Sequence, residues 1–355
     1  MKKHNFYAGP AILPAPVLSQ AAQAVQEFVG SGLSILEVSH RSAGFVAVLE
    51  EIESLVKELF NIGSDHKVMF LTGGASSQFY MSAMNLLASN ESAAFLDTGA
   101  WSTKSIKEAK LFGNVNVVAS SSDKNYNYIP KGYSIPEDSK YLHLTSNNTI
   151  FGTQIHSWPD TKVPFVCDMS SDIFSRSIDI NKFSLIYAGA QKNTGPAGVT
   201  LAIVREDLLG KTERQIPTML DYRTHIAKKS SFNTPPVYPI YVSMLTLRWL
   251  KDLGGISVIE SKNNEKAKLI YDEIDRNPLF KGAAETEDRS LMNVTFVMED
   301  DTLNDAFLAA AGEAGCIGIK GHRSVGGFRA SIYNAMPKDS VQVLVDVMKE
   351  FERKA

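Results

Sequence analysis

Residues 185–196 of the chain read LIYAGAQKNTGP. Four apolar residues in a row, at 185–188, are typical of a β-strand that is buried on both faces. Glycine and alanine then surround Lys192, and a turn of small residues after a buried strand is not the usual setting of a solvated lysine. This stretch therefore predicts an α/β sheet with an amine held at the edge where its strands end.

Similar apolar runs occur on both sides of this stretch. They lie at residues 67–71, 93–96, 115–119, 141–144, 164–167 and 199–204, with helical patterns at 45–60, 76–87 and 103–111. Continuous apolar strands that alternate with helices indicate a mostly parallel sheet covered on both faces. We therefore predict the α/β class, with a large domain built on a mostly parallel seven-stranded sheet covered by helices.

The pattern changes after Gly254 and Gly255. Beyond them the sequence predicts a long helix, another helix at 303–314, a final amphipathic helix, and short strands near 292–297, 316–319 and 328–333. These elements indicate a compact α+β unit. We predict a large domain at residues 16–255, a smaller C-terminal domain at 256–355, and an extended proline-rich segment at 1–15 that can pack on either domain.

Composition and charge exclude several classes of protein. Hydrophobic residues make up 44% of the 355 residues and charged residues 21%, which fits a globular protein and excludes a disordered one. The net charge of −3, without blocks of like charge, argues against nucleic acid or an anionic membrane as the main partner. Two distant cysteines make no secreted-type disulfide framework, and no run approaches the roughly 20 apolar residues of a membrane span. Prolines also interrupt the apolar N-terminal stretch, so we expect a cytoplasmic protein.

Candidate functional residues follow four of the predicted strands. Residues 72–78 read TGGASSQ, where backbone N–H groups near Ala75 and Ser76 can approach an anion at a helix N-terminus. Trp101 follows the next strand, and Asp168 and Lys192 follow two later ones. Each feature alone also fits a structural role: a tight turn with a serine cap, a core or interface tryptophan, or an aspartate in a cap or turn.

In combination the four features point to one cofactor. A phosphorylated pyridine ring needs an anion cradle, a flat stacking partner, a carboxylate that keeps the ring nitrogen protonated, and an amine that forms a Schiff base. The carboxyl ends of parallel strands meet at one edge of a sheet, so these side chains can converge. We therefore predict that Lys192 carries pyridoxal phosphate, that Asp168 pairs with its ring nitrogen, and that the chain moves an amino group.

Competing kinds of site find no support in the sequence. Neither a dinucleotide-binding G-x-G-x-x-G nor a G-x-S-x-G nucleophile elbow occurs. The seven histidines show no H-E-x-x-H motif and no short spacing to cysteine, so no metal site is predicted.

Longer strings of sequence carry a family resemblance. They are AGAQKN at 188–193, GPA at 9–11, EVSHR at 37–41, FNTPP at 232–236, KGHR at 320–323 and RASIYNAMP at 329–337. In these strings the chain resembles the phosphoserine aminotransferase family, which belongs to the class-V, fold-type I pyridoxal-phosphate enzymes. The resemblance extends nearly from end to end.

The resemblance implies a reaction and a set of roles. The enzyme would exchange amino groups between glutamate and 3-phosphohydroxypyruvate, giving phosphoserine and 2-oxoglutarate in serine biosynthesis; relatives also act on a similar keto acid in pyridoxal phosphate synthesis. The implied cofactor-binding residues are Ala75, Ser76, Trp101, Thr149, Asp168, Gln191 and Lys192, with Asn233 and Thr234 reaching the cofactor phosphate from the other subunit of a homodimer. The implied substrate-binding residues are His40, Arg41, His322, Arg323 and Arg329.

One departure and one alternative accompany this resemblance. Many family members have an arginine where this chain has Ser76, so one cation expected near the substrate is missing. The alternative is another fold-type I enzyme, such as a cysteine desulfurase or an aminotransferase for a different small substrate. A desulfurase needs a nucleophilic cysteine on a mobile loop, whereas Cys167 ends a predicted strand and Cys316 begins one. A non-enzymatic binding protein would be expected to lack Lys192 or Asp168, and both are present.

Overall fold

The structure is a computed structural model, and it describes residues 2–354 of the chain. Its strands are β1 His4–Asn5, β2 His66–Leu71, β3 Ser92–Asp97, β4 Asn114–Ser120, β5 Leu142–Thr145, β6 Asn147–Asn148, β7 Thr153–Gln154, β8 Phe165–Asp168, β9 Phe183–Gly189, β10 Thr200–Arg205, β11 Phe280–Gly282, β12 Asn293–Met298, β13 Cys316–Ile317 and β14 Phe328–Ser331. Its α-helices are α1 Ala15–Gln26, α2 Ala43–Phe60, α3 Gly74–Leu86, α4 Ala100–Ala109, α5 Tyr222–Ala227, α6 Val237–Asp252, α7 Gly255–Arg276, α8 Asn304–Glu313 and α9 Lys338–Lys354.

A seven-stranded sheet forms the centre of the larger part of the molecule. Its strand order is β2-β10-β9-β8-β5-β3-β4, and all pairs are parallel except those that β10 makes with β2 and β9. The antiparallel strand follows from the short connection at 190–199, because a parallel neighbour would need a longer crossover. The predicted mostly parallel seven-stranded sheet is confirmed.

Both faces of this sheet are buried, as the apolar runs predicted. In β9, Ile186 and Ala188 belong to the apolar cluster on one face, together with α1, α2 and α6. Leu185 and Tyr187 belong to the cluster on the other face, with α3 and α4. Alternate side chains of a strand point to opposite faces, so a strand with apolar side chains on both faces can be covered by two helical layers.

A second, smaller sheet has the order β11-β12-β14, and its buried side chains form one apolar cluster with those of α7, α8 and α9. Its core is a cluster of aromatic rings, Phe280, Phe296, Phe307 and Phe328, that meet mainly edge to face. Such contacts add to the stability gained from burial alone. The division of the chain at residue 255 stays a prediction.

The segment before α1 contacts both parts of the molecule. Strand β1 pairs in parallel with β13, and Phe6 is fully buried in the aromatic cluster of the smaller sheet. Farther along, the backbone N–H of Ala11 donates to the carbonyl of Gln191 at 2.8 Å. The segment thus spans from the smaller sheet to the turn after β9. None of the helices within residues 2–354 is long and apolar enough to cross a membrane.

Candidate active site

Lys192 lies in the turn between β9 and β10, at the edge of the large sheet. Hydrogen bonds from Thr194 and Gly195 to the carbonyl of Ala190 close the turn. The Lys192 amine is 5.7 Å from the centre of the Trp101 ring. Burial lowers the pKa of this amine, and nearby Asp168 offsets part of that shift. The turn therefore holds an amine that loses its proton more readily than a solvated lysine does.

Asp168 ends β8, the strand beside β9, and its side chain is 6% exposed. Its Oδ1 accepts a hydrogen bond from the backbone N–H of Ser170 at 2.9 Å, and the Ser170 hydroxyl accepts one from Gly189 at 3.1 Å. Burial raises the pKa of the Asp168 carboxyl, whereas the Lys192 amine acts to lower it. A buried carboxylate in this setting is stabilised by any cation that binds beside it.

Trp101, Thr149 and Arg329 are joined by hydrogen bonds. The indole Nε1 of Trp101, in the first turn of α4, donates to the Thr149 hydroxyl at 3.2 Å. Arg329, on β14 of the smaller sheet, donates from Nη1 to the Thr149 carbonyl at 3.0 Å. The buried Nε of Arg329 has no hydrogen-bond partner among residues 2–354. Thr149 thus aligns the ring of Trp101 with the guanidinium group of Arg329, which keeps one N–H donor without a partner in the described residues.

Helix α3 begins at the carboxyl end of β2 and carries Ala75 and Ser76 in its first turn. Its N-cap residue, Gly73, has a φ of 93° and makes no side-chain cap. A Cβ on Gly73 would lie 1.9 Å from the Ser77 hydroxyl, so only glycine fits at this position. Ser76 is exposed. The first N–H groups of α3 therefore point toward solvent at the positive end of the helix, as an anion-binding turn requires.

His322 and Arg323 lie in the loop between β13 and β14. His322 is half-buried and Arg323 is exposed. Burial lowers the pKa of His322, and the positive charges of Arg329 and Arg323 lower it further. The side chains of His322, Arg323 and Arg329 therefore lie close enough together for the two arginines to disfavour the charged form of the histidine.

Four residues implied by the resemblance lie apart from this group. His40 and Arg41 line a separate cavity of about 350 Å³, together with Phe70 and the backbone near 227–231. Asn233 and Thr234 are exposed in the segment between α5 and α6. In the part of the chain that the structure describes, no hydrogen bond joins any of these four to the turn at Lys192. Their roles stay predictions.

Gln191 contacts the glycine that ends β9. A Cβ on Gly189 would lie 2.7 Å from Oε1 of Gln191, so the amide folds back over the strand end. The backbone of Gly9 also approaches this turn, since a Cβ there would lie 3.6 Å from Cγ of Lys192. The turn at Lys192 is thus enclosed by the N-terminal segment as well as by the sheet.

Asn193 also belongs to this region, although the sequence did not indicate it as a site residue. Its Nδ2 donates to the carbonyl of Ser171 at 3.0 Å, and its Oδ1 accepts from the backbone N–H of Asn334 at 3.0 Å. Asn334 follows β14 in the smaller sheet and also donates to the carbonyl of Phe174. The only signal in the sequence was the position of each asparagine within a family string, AGAQKN or RASIYNAMP.

Comparisons with known proteins place this geometry in a family. The model of the class-V aminotransferases matches residues 3–344. A phosphoserine aminotransferase of Parabacteroides distasonis is 61% identical over 355 residues, and the match covers 99% of each chain. A structure on radiation damage of the Schiff base in phosphoserine aminotransferase has a TM-score of 0.97 at 48% identity, covering 100% of this chain and 99% of its own.

A second solved structure, the PLP-bound phosphoserine aminotransferase of Trichomonas vaginalis, has a TM-score of 0.94 at 34% identity. It covers 98% of this chain, and the match covers 100% of that protein. These matches run over the whole chain, which confirms the resemblance seen in the six sequence strings. The chain belongs to the class-V aminotransferases and, within that class, to the phosphoserine aminotransferases.

Proposed function

We propose that the chain transfers the amino group of glutamate to 3-phosphohydroxypyruvate, with pyridoxal phosphate as cofactor, giving phosphoserine and 2-oxoglutarate. The observation that carries the proposal is the convergence at one sheet edge of a desolvated amine and a buried carboxylate, Lys192 and Asp168, with the ring of Trp101 beside the amine. The use of a second phosphorylated keto acid, in pyridoxal phosphate synthesis, stays a prediction.

The side chains of the site fit this cofactor. The raised pKa of Asp168 reflects a buried negative charge, which a protonated pyridine nitrogen would neutralise. The N-terminal turn of α3 lacks a side-chain cap and offers free N–H groups to a phosphate. Trp101 offers a ring face, and its indole is oriented by the hydrogen bond to Thr149. The fit thus rests on a carboxylate, an anion cradle and an aromatic face.

Pyridoxal phosphate, when bound, supplies a ring that withdraws electrons from the carbon atom bearing the amino group. Asp168 would hold a proton at the ring nitrogen, because its charge is buried and strengthens that pairing. Lys192 would carry the cofactor and, when released, would move a proton through Nζ, for which its lowered pKa suits it. Thr149 would orient both Trp101 and the phenolic oxygen of the cofactor.

Substrate binding would depend on local cations, because the protein as a whole has a net charge of −3. Arg329 can bind a carboxylate through the unpaired Nε and the remaining N–H groups of its guanidinium. His322 and Arg323 lie near it and can attract a phosphate. Arg41 and His40 would add to the same pocket once the neighbouring subunit is in place.

We assign Asn233 and Thr234 to the site of the other subunit in a homodimer. Both are exposed, and the neighbouring Phe232 is 41% exposed. Further large apolar side chains are exposed at Leu18, Val29, Leu33 and Leu36. A partner subunit that covers these side chains would also bring Asn233 and Thr234 to its cofactor phosphate.

A cysteine desulfurase is disfavoured by the two cysteines. Cys167 lies inside β8 and is fully buried, and burial raises the pKa of its thiol well above the ordinary range. Cys316 is 3% exposed, and burial raises its pKa to about 11. Neither thiol is a reactive thiolate on an accessible loop.

The test is an absorbance spectrum of the purified protein with pyridoxal phosphate, before and after adding glutamate alone. We expect the band of the protein-bound cofactor to shift, because glutamate would leave its amino group on the cofactor. Addition of 3-phosphohydroxypyruvate should restore the first spectrum, whereas pyruvate at the same concentration should do so far more slowly. An unchanged spectrum with glutamate would reject the proposed reaction.

The choice of keto acid is tested by the ratio of kcat/KM for 3-phosphohydroxypyruvate to that for pyruvate. We expect a ratio of several orders of magnitude, because phosphate and carboxylate each bind guanidinium groups in bidentate fashion. The variant Arg323→Lys should lower the ratio. Equal use of the two keto acids by the unmodified protein would show that the cluster does not recognise phosphate.

A further inference from the structure

Lys266, in the middle of α7, is a buried lysine without an acidic partner. It is 2% exposed, and its amine donates to the carbonyls of Ile332 and Tyr333 at 3.0 and 2.7 Å. No salt bridge to Lys266 occurs among residues 2–354. A buried ammonium group without a carboxylate is costly to the folded state, so a purely structural role would be served better by an apolar side chain.

The two carbonyls lie at the junction between the smaller sheet and the active site. They follow β14, the strand that carries Arg329. The next residue, Asn334, donates its backbone N–H to Asn193, beside Lys192. The Oδ1 of Asn334 accepts a hydrogen bond at 2.8 Å from Asn263, which precedes Lys266 by about one turn of α7. Helix α7 thus holds the segment 332–334 from one side, while the turn at Lys192 holds it from the other.

The surroundings of Lys266 favour its neutral form. Burial and, to a smaller extent, the charge of Lys262 on the same helix together lower the pKa of its amine to about 7. The cleft of about 320 Å³ that Lys266 lines also contains Glu265 from α7 and Lys338 from α9, which pair with each other at 3.0 Å. Helix α6 and its C-cap residue contribute only the uncharged side chains of Trp249 and Leu253 to the lining of this cleft. The Tyr333 hydroxyl donates a hydrogen bond to the carbonyl of Ala8.

We propose that Lys266, as an ammonium group, is a positioning residue for transamination: it fixes the carbonyls of Ile332 and Tyr333 and so aligns Arg329 with the turn that carries Lys192. The proposal rests on the proposed function, since the effect on Arg329 is measured as a change in kcat/KM for glutamate. Lys266 itself lies outside the cluster of Lys192, Asp168 and Trp101 and acts through backbone groups.

Activity and stability should respond to pH in opposite directions. An ammonium group makes stronger hydrogen bonds to carbonyls than a neutral amine does, so the alignment is best below about pH 7 and weakens as Lys266 loses its proton. The unfolded chain keeps this proton up to its ordinary pKa of 10.5. Between these two values the folded state binds fewer protons than the unfolded state, so the contribution of Lys266 to stability rises with pH.

The test compares Lys262→Gln with the unmodified holoenzyme and with Lys268→Gln. Lys262 is exposed, and its removal should raise the pKa of Lys266 and move the alkaline fall in kcat/KM for glutamate to higher pH. Lys268 is the matched control, because it is an exposed lysine on the same helix that pairs with Asp272. Its profile should coincide with that of the unmodified enzyme.

Two substitutions of Lys266 itself extend the test. Lys266→Arg keeps a positive charge at high pH, so the alkaline fall in kcat/KM for glutamate that Lys266 causes should disappear. Lys266→Met should lower kcat/KM about three- to tenfold below pH 7, where the lost bonds are charge-assisted, and should differ little from the unmodified enzyme above about pH 9. An equal loss at every pH would show a structural role only and would overturn the proposal, as would superimposed profiles of Lys262→Gln and the unmodified enzyme.

Hydrogen exchange supplies a readout that does not depend on activity. Near pH 8, backbone amides in the peptide covering 329–334 should exchange more slowly in Lys262→Gln than in the unmodified holoenzyme, because more of Lys266 is protonated. Identical exchange would overturn the proposal. If the unmodified enzyme transfers no amino group at any pH, the proposed function fails, and exchange still decides the role of Lys266.

Discussion

At the residue scale, the pKa values of Lys192 and Asp168 are both shifted toward the neutral form, and each group opposes the shift of the other. Burial lowers the pKa of the amine and raises the pKa of the carboxyl, while their mutual attraction opposes both shifts. Two groups coupled in this way respond strongly to a charge that binds between or beside them. The pair is therefore the place where single substitutions should have their largest effect on chemistry.

The substitution Asp168→Asn removes the negative charge and nearly keeps the shape of the side chain. We expect kcat for the half-reaction with glutamate to fall about a hundredfold or more, because the negative charge that would keep a proton on the ring nitrogen is lost. Rapid mixing of the cofactor-loaded variant with glutamate measures this rate. The exposed Asp179→Asn is the control, and a rate within about threefold of the unmodified enzyme would contradict the role of Asp168.

The substitution Lys192→Ala should abolish the covalent link to the cofactor that borohydride reduces, because it removes the amine. Mass spectrometry after reduction measures the link. Lys104→Ala is a stringent control, since the Lys104 amine lies 4.5 Å from the centre of the Trp101 ring, closer than that of Lys192. Loss of the link in the Lys104 variant, with retention in the Lys192 variant, would show that the wrong lysine has been assigned.

At the scale of elements, short apolar runs predicted the strands, and the residues after them predicted three members of the site. Lys192, Asp168 and Trp101 could be found because each lies shortly after its predicted strand in the sequence. The contacts of Asn193 with Asn334 and of Lys266 with Tyr333 could not, because they join residues 141 and 67 positions apart. Such pairs depend on how the two sheets pack, which no local pattern encodes.

The position of Ser76 in the first turn of helix α3 leads to a testable prediction. The variant Ser76→Arg would place a cation in the exposed first turn of the helix, near the expected phosphate groups. A charge-assisted hydrogen bond there should lower KM for 3-phosphohydroxypyruvate about ten- to a hundredfold. Steady-state kinetics with glutamate as donor measure it, with Ser76→Gln as the uncharged control. A rise in KM in the arginine variant alone would show that this turn lies away from the substrate phosphate.

At the scale of the whole molecule, the site is expected to be complete only in a dimer. Asn233 and Thr234 are exposed and precede two prolines, Pro235 and Pro236, which stiffen the segment in an extended form. If they reach the cofactor phosphate of a partner subunit, binding of the cofactor and association of the subunits stabilise each other.

Removal of pyridoxal phosphate should therefore weaken the dimer, and the double substitution of Asn233 and Thr234 by alanine should weaken cofactor binding. Sedimentation velocity over a range of protein concentrations, with and without cofactor, measures the first effect, and a cofactor titration measures the second. Asn264→Ala, at an exposed position on α7, is the control. A fully active, cofactor-loaded monomer would rule out the shared site.

The pairing of β1 with β13 has a consequence for the order of events on the ribosome. Phe6 is completely enclosed among side chains of the smaller sheet, and His4 bonds to Ser340, 336 positions later. Synthesis proceeds from the N-terminus, so residues 4–6 leave the exit tunnel long before their partners have been translated. The large sheet can assemble while the chain is still growing, whereas the N-terminal strand can cover the smaller core only after translation has passed Ser340.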